Sequence, residues 1–199
     1  MRNVIVTEWM SLDGVVQAPA YPEEDRSGGF QHGGWHLPFF DDVSMEWVVD
    51  NVTGAGGYLL GRRTYDVFAA HWPKASAAEQ VLARPMNELP KHVASQTLAA
   101  PLAWNAATLL GGDVTGAVAA LKEGDGRYLL AIGSPALVRT LLAHDLVDEL
   151  RLMIDPIVLG SGKRLFGDSG LPKTLRLVQS QATRTGALLV TYARQERAS

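Results

Sequence analysis

Residues 127–135, Arg-Tyr-Leu-Leu-Ala-Ile-Gly-Ser-Pro, decide the fold. The apolar run from Arg127 to Ile132 predicts a strand buried on both faces, which is typical of a parallel sheet. Gly133 ends this strand, Ser134 is a suitable helix N-cap, and Pro135 suits the first helical position. Because a strand that leads directly into a helix is the repeating unit of α/β proteins, we expect a mixed α/β fold.

A second junction of the same kind lies earlier in the chain. Tyr58-Leu59-Leu60 predicts a short buried strand, and residues 62–71 have apolar side chains at helical spacing. Gly61 joins these elements. The free N–H groups at a helix N-terminus favour an anion, and Arg62, Arg63 and Thr64 add donors suited to phosphate. Two such junctions suit a dinucleotide, although two ordinary capped helices are the alternative.

The remaining pattern surrounds these junctions with further strands and helices. Strands are expected at residues 2–8, 91–95, 102–104, 149–154, 174–180 and 187–194, and helices at 42–52, 75–83, 114–123 and 135–142. Helical connections indicate parallel pairing for the early strands, whereas the last strands are expected to pair antiparallel. We expect a single domain over residues 1–199.

Composition excludes several classes of protein. Hydrophobic residues make up 47% of the chain and charged residues 20%, which is typical of a globular protein. The absence of cysteine excludes disulfide scaffolds, thiolate metal sites and cysteine nucleophiles. The net charge of −3 without a basic block disfavours nucleic-acid binding. No stretch resembles a signal peptide or a membrane span, and the histidines are scattered, so we expect a cytoplasmic protein without a metal site.

The region after the first strand is the candidate substrate site. Ser11-Leu12-Asp13-Gly14 places a carboxylate at the end of that strand, where it could bind or protonate a polar substrate. A simple Leu-Asp-Gly turn is the alternative, because aspartate favours turns. The long segment 17–40 is rich in glycine, proline and aromatic residues, so it is either a functional loop or an inserted surface loop.

These segments resemble the dihydrofolate reductase-like superfamily, and within it the C-terminal reductase domain of bacterial RibD riboflavin-biosynthesis proteins. The resemblance rests on residues 11–14, 60–65, 93–98 and 133–134, and most of all on residues 146–152 running into 156–166. It covers about residues 3–194. It implies a three-layer α/β fold: a mixed, mainly parallel sheet with helices on both faces and antiparallel C-terminal strands.

The resemblance also implies an NADPH-dependent oxidoreductase, with NADH left open. The reference activity of the family is 5-amino-6-(5-phosphoribosylamino)uracil reduction, a hydride transfer to a small polar heterocycle. The implied cofactor-binding residues are Gly61, Arg62, Arg63, Thr64, Ser95, Gly133 and Ser134. Asp13 is the implied catalytic residue, with an ordered water as the other proton source. The implied substrate-binding residues are Ser11, Asp13, Trp35 and Phe39. A homodimer through the C-terminal strands is implied as well.

Two departures from the family pattern leave the substrate open. Gln96 stands where many relatives carry arginine, so selection of NADPH would depend on Arg62 and Arg63. Residues 35–42 replace a Trp-Ile-Thr-type segment, and their Trp-x-Leu-Pro string is similar to dihydrofolate reductases, with Asp41 or Asp42 as the substrate acid. Dihydrofolate reduction is therefore one alternative, and a non-catalytic nucleotide-binding module is another.

Overall fold

A computed structural model of the chain describes residues 1–167 and 172–195. In these ranges eight strands form one sheet and five α-helices accompany it. The strands are β1 Val4–Ser11, β2 Gly57–Gly61, β3 Lys91–Ala94, β4 Ala107–Leu110, β5 Leu129–Ile132, β6 Glu149–Asp155, β7 Leu175–Ala182 and β8 Leu188–Arg194. The helices are α1 Asp42–Gly54, α2 Arg62–His71, α3 Gln80–Glu88, α4 Val114–Glu123 and α5 Pro135–Ala143. None of them is long and apolar enough to cross a membrane.

The sheet has the strand order β4-β3-β2-β5-β1-β6-β8-β7. The pairs from β4 to β6 are all parallel, whereas β8 pairs antiparallel with both β6 and β7. The expected mixed sheet with antiparallel C-terminal strands is thus confirmed. The chain moves outward from β1 to β4 and then returns to place β5 between β1 and β2. The strand order therefore reverses at the sheet centre, where α/β proteins bind ligands beyond the carboxyl ends of the strands.

The two faces of the sheet are covered by separate apolar layers. Val4 and Val6 pack with Leu141 of α5, while Ile5 between them packs with Val52 of α1 and Met86 of α3. Successive side chains of a strand point to opposite faces, so β1 contributes to both layers. This arrangement is the expected three-layer fold with a helix layer on each face.

The strand predicted at residues 102–104 is wrong. Trp104 is buried in an irregular segment, where its indole N–H donates to Asn87 Oδ1 at 2.8 Å and its ring lies 6.2 Å from that of Tyr65. The strand forms instead at β4, which pairs in parallel with β3. An aromatic residue promotes strand formation only where its side chain packs on the sheet, and here it fills the core beside α2 and α3.

The helix predicted at residues 75–83 is also misplaced. A 3₁₀ turn occupies Ala77–Glu79, and Glu79 completes a capping box with Ser76. The α-helix α3 begins after it and continues through Pro85, although proline usually ends a helix. Proline leaves the carbonyl of Val81 without its helical donor, but Val81 is half exposed, so water can replace that bond.

Candidate active site

The two glycine-containing junctions lie side by side. β2 and β5 are neighbours in the sheet, so Gly61 and Gly133 leave it at the same edge. The Gly61 N–H donates to Ser134 Oγ at 2.8 Å, and this oxygen lies 2.7 Å from Thr64 Oγ1. The start of α2 and the start of α5 therefore form one continuous site.

The backbone before α5 adopts a left-handed conformation at two successive residues. Gly133 has φ +58°, and a Cβ at this position would lie 3.2 Å from Thr64 Oγ1. Ser134 has φ +65°, which costs a non-glycine residue about 1 kcal/mol. Ser134 is the N-cap residue of α5, as predicted, but its hydroxyl makes no cap hydrogen bond there, because it bonds instead with the Gly61 N–H and the Thr64 hydroxyl. Strain of this kind is typical of functional sites.

A cleft of about 1370 Å³ opens at this edge of the sheet. Pockets for drug-sized ligands measure roughly 300–1,000 Å³, so the cleft has room for a dinucleotide and a substrate. Ser95 shapes its far side by accepting the Thr97 and Leu98 N–H groups at 3.1 and 3.0 Å. All seven residues expected to bind a cofactor line it: Gly61, Arg62, Arg63, Thr64, Ser95, Gly133 and Ser134.

The two arginines at the start of α2 have different partners. Arg62 is exposed, and its ion-pair partner within the described part of the chain is Asp66, one helical turn away, at 2.8 Å. Arg63 instead donates across the cleft to Asp25 Oδ2 and Ser27 Oγ, both at 3.0 Å. Arg62 is therefore the freer of the two cations.

The Lys163 ammonium group donates hydrogen bonds to Asp25 Oδ2 at 2.5 Å and to Ser27 Oγ at 2.6 Å. Burial alone would raise the pKa of Asp25, but the hydrogen bonds from Lys163 and Ser27 outweigh it and lower the pKa to about 2. Asp25 thus ties the 17–40 loop to α2 and to the loop at residues 159–167. The contacts of Lys163 with Asp25 and Ser27 could not be predicted from sequence, since only the folded chain brings these residues together.

The structure places Asp13 outside the residues that line the cleft. Its carboxylate accepts the N–H groups of Leu159 and Gly160, at 3.1 and 2.9 Å, and the hydroxyl of Ser11 at 2.7 Å. Burial favours the neutral acid, but these three donors outweigh it and lower the pKa of Asp13 to about 2. At neutral pH Asp13 is an ionised acceptor that holds the start of the 159–167 loop.

The other residues expected to bind substrate also lie outside the cleft lining. Ser11 is fully buried, and Trp35 is buried with its indole N–H donating to the Gln17 carbonyl at 2.8 Å. Phe39 lies in a 3₁₀ turn, and its carbonyl accepts the Thr185 hydroxyl at 2.5 Å. The structure brings together the expected cofactor residues and separates the expected substrate residues from them.

A buried histidine–aspartate pair anchors the aromatic part of the 17–40 loop. His36 Nδ1 lies 2.6 Å from Asp155 Oδ2, and both side chains are inaccessible to solvent. The ring of Trp9 stacks on His36 at a centroid distance of 4.2 Å. Burial raises the pKa of Asp155, while the bond to His36 opposes that shift. Trp9 itself lines the cleft, so the pair supports one of its walls.

Three lining side chains that sequence analysis did not select each carry a buried polar atom without a hydrogen-bond partner among the described residues. They are Glu8 Oε1, Asn51 Nδ2 and Trp72 Nε1. Buried polar atoms usually have hydrogen-bond partners, so we expect a molecule bound in the cleft to supply the partners of these three atoms. The only sequence signal was Glu8, a charge in a mostly apolar strand. The described residues contain no group of three or more His, Cys, Asp or Glu suited to a metal ion.

Three solved structures share the fold over 98% of this chain. A candidate riboflavin biosynthesis protein from Shewanella sp. PV-4 gives a TM-score of 0.73 at 23% identity, with 99% of that chain covered. A pyrimidine reductase-like protein from Corynebacterium diphtheriae NCTC gives 0.69 at 12% identity and 92% coverage. Dihydrofolate reductase from Enterococcus faecalis, complexed with NADP(H), gives 0.61 at 12% identity and 97% coverage. The dihydrofolate reductase-like fold is confirmed.

The sequence itself is similar to known proteins over most of its length. It is 30% identical over 136 residues to the uncharacterized protein YyaP of Bacillus subtilis (strain 168), which covers 67% of this chain and 71% of that protein. The family model of the RibD C-terminal domain matches residues 2–189. This match confirms the expected resemblance, and the chain belongs to the RibD C-terminal domain family.

Proposed function

We propose that this protein is a reductase that uses a reduced nicotinamide dinucleotide, NADPH in the first place, to reduce a small polar heterocycle or carbonyl compound. The observation that carries this proposal is that hydrogen bonds of the Ser134 side chain hold two helix N-termini together at one edge of a cleft of about 1370 Å³. Membership of a family whose reference activity is a pyrimidine reduction in riboflavin biosynthesis supports it. The NADP(H) held by the structurally similar dihydrofolate reductase supports the choice of cofactor.

The residues at the two junctions fit a pyrophosphate group. Neither α2 nor α5 has an acidic residue in its first turn, so the free N–H groups and the helix dipoles favour an anion. Gly133 and Ser134 would hold the pyrophosphate, while Gly61 and Thr64 would bind on the adenosine side with Ser95 farther along. When bound, the cofactor supplies a hydride. The protein orients the two reactants and keeps water from them.

Selection of NADPH over NADH falls to Arg62 in this proposal. Both side chains of the Arg62–Asp66 ion pair are exposed to solvent, and ion pairs of this kind contribute little to the free energy of folding. Arg62 can therefore turn to the extra phosphate of NADPH at small cost. Arg63 is already bound to Asp25 and Ser27, so we assign it to holding the loop over the cleft.

The substrate remains a class rather than a compound. Asp41 caps α1 through the Ser44 N–H at 2.9 Å, and Asp42 is exposed and pairs with Arg184. Neither carboxylate lines the cleft, which gives no support to the dihydrofolate alternative. The Trp9, Asn51 and Trp72 side chains offer an apolar wall with two amide or indole donors, which suits a flat polar heterocycle.

A homodimer through the C-terminal strands is part of the proposal. β7 forms one edge of the sheet, and Leu177 and Val178 on it are each 50% exposed. An exposed apolar edge strand is a surface that proteins usually cover, and a second copy of β7 would do so. The cytoplasmic location and the single domain over residues 1–199 stay predictions of the sequence.

The direct test is a titration with NADPH followed by tryptophan fluorescence. Trp9 and Trp72 line the cleft, so we expect quenching that saturates with a Kd in the range of roughly 1 μM to 1 mM. No response to either NADPH or NADH at about 1 mM would contradict the proposal. Binding without oxidation of the cofactor by any pterin, pyrimidine or carbonyl compound would favour the non-catalytic module instead.

A further inference from the structure

Glu8 is the one acidic side chain of β1, in the middle of the sheet. It is 5% exposed, and its Oε1 atom is buried without a hydrogen-bond partner among the described residues. Glu8 nevertheless lines the cleft. A carboxyl group buried without a partner is costly, and such groups are retained mainly where they act on a ligand.

The register of the sheet explains why this residue faces the cleft. The last residue of β1 that pairs with β5 is Thr7, opposite Ile132, while β1 itself continues to Ser11. Glu8 is therefore the first residue of β1 beyond the end of β5. The Gly133 N–H donates to the Thr7 carbonyl at 3.4 Å. Thr7 therefore contacts the proposed pyrophosphate site, and Glu8 is the next residue along β1.

The charged groups around Glu8 leave its carboxyl group without a cation among the described residues. Arg151, on the strand next to β1, is engaged by Glu149 and by Asn51 Oδ1 at 2.7 Å. Lys163 is engaged by Asp25.

Among the described residues, the charge that acts on Glu8 is that of Glu24, whose Oε2 accepts the N–H groups of Ala20 and Tyr21. Burial raises the pKa of Glu8 well above its usual range, and the charge of Glu24 raises it further. Glu8 therefore holds a proton under conditions in which Asp13 has lost its own.

We propose that Glu8 is the catalytic acid of this cleft and that the substrate contains a C=N or C=O bond whose nitrogen or oxygen takes the Glu8 proton. This inference rests on the proposed reductase function. In the step, the substrate carbon gains a hydride from the reduced nicotinamide, and its nitrogen or oxygen gains the proton of the Glu8 carboxyl group. Two electrons and two hydrogens enter the bond, the cofactor leaves oxidised, and Glu8 regains a proton from water.

The experiment compares the wild type with Glu8→Gln, Glu8→Asp and the control Glu24→Gln. Glutamine keeps the shape of Glu8 without its acidic proton, and Glu24 is a second carboxyl group that lines the same cleft. Three quantities are measured for each protein. They are the Kd for NADPH, the infrared band of a protonated carboxyl group as a function of pH, and the single-turnover oxidation of bound NADPH by dihydrofolate, a cyclic imine and an aldehyde.

We expect Glu8→Gln to bind NADPH within about threefold of the wild type, to lose the infrared band, and to slow any observed turnover by roughly 10²–10⁴-fold. Glu8→Asp should restore part of the rate with a shifted pH profile. Glu24→Gln should keep the band, and should lower the pH at which the band disappears, because the charge that raises the pKa of Glu8 is removed.

If the wild type shows no protonated carboxyl band that depends on Glu8, the inference is overturned, whether or not an acceptor is reduced. It is also overturned if Glu8→Gln turns over at the wild-type rate. Failure of the wild type to bind NADPH or NADH would instead overturn the proposed function, and the infrared measurement distinguishes these results.

Discussion

The hydroxyl of Ser134 joins the two halves of the proposed cofactor site, so its removal is a sharp test of that geometry. Ser134→Ala deletes the acceptor for the Gly61 N–H at 2.8 Å and the bond with Thr64 Oγ1 at 2.7 Å. Each neutral hydrogen bond contributes about 1 kcal/mol, so the variant should lose about 2 kcal/mol of unfolding free energy. For a chain of this length that loss lowers Tm by about 4–8 °C.

Ser134→Gly makes the same deletion but removes the strain of a non-glycine residue at φ +65°. Relief of about 1 kcal/mol leaves a net loss of about 1 kcal/mol, so the glycine variant should be the more stable of the two. In a Thr64→Val background, Ser134→Ala should cost about 1 kcal/mol less, because one of its two bonds is already absent.

Urea unfolding followed by tryptophan fluorescence measures these free energies, and NADPH titration of the same variants measures the effect on binding. Both Ser134 variants should bind NADPH more weakly than the wild type, because the start of α2 is no longer held against that of α5. The reasoning is refuted if Ser134→Ala is as stable as the wild type, or if Ser134→Gly is the less stable variant.

Four further predictions follow from other contacts. Arg62→Ala should weaken the binding of NADPH about tenfold and leave the binding of NADH nearly unchanged, whereas Arg84→Ala, which removes a similar exposed ion pair on α3, should change neither affinity. Equal losses of affinity for both cofactors would contradict the role of Arg62. Because the folded pKa of Glu8 is raised, the folded state keeps a proton that the unfolded state loses, and stability should fall by up to about 1.4 kcal/mol per unit as pH rises between the two values. Glu8→Gln should remove this slope in urea unfolding, and an unchanged slope would count against it. Asp25→Asn should cost about 1 kcal/mol at neutral pH, since its partners are partly exposed, and the cost should shrink as pH falls from about 4 towards 2; a constant cost across that range would contradict the lowered pKa. Sedimentation should give twice the 21.5 kDa chain mass for the wild type and a monomer for Leu177→Lys, with Val81→Lys, equally exposed on α3, as the control that stays dimeric.

The junctions were predictable from sequence because their signals are local. An apolar run, a glycine and a proline within nine residues place the strand end and the helix start at 132–135, and the structure has both boundaries there. Parallel neighbours then bring Gly61 and Gly133 to the same edge. The sequence did not reveal the hydrogen bond that the Gly61 N–H donates to the Ser134 hydroxyl, because the two residues are 73 positions apart.

The roles of the two carboxyl groups depend on distant parts of the chain. Asp13 accepts from N–H groups 146 and 147 positions away, so a local Leu-Asp-Gly pattern cannot show whether its carboxylate faces a ligand or holds a loop. Glu8 gave a local signal, a charge in a mostly apolar strand, but its position at the cleft depends on where β5 ends beside β1. Trp104 misled the strand prediction for the same reason, since its packing partners Tyr65 and Asn87 lie far away in sequence.

A crystal structure of the protein with NADPH tests the central claim most directly. The account predicts that the dinucleotide lies along the cleft, with its pyrophosphate against Gly133, Ser134 and the free N–H groups at the start of α5, and a further phosphate near Gly61, Arg62 and Thr64. A cofactor bound elsewhere, or crystals that stay empty at saturating NADPH, would contradict it.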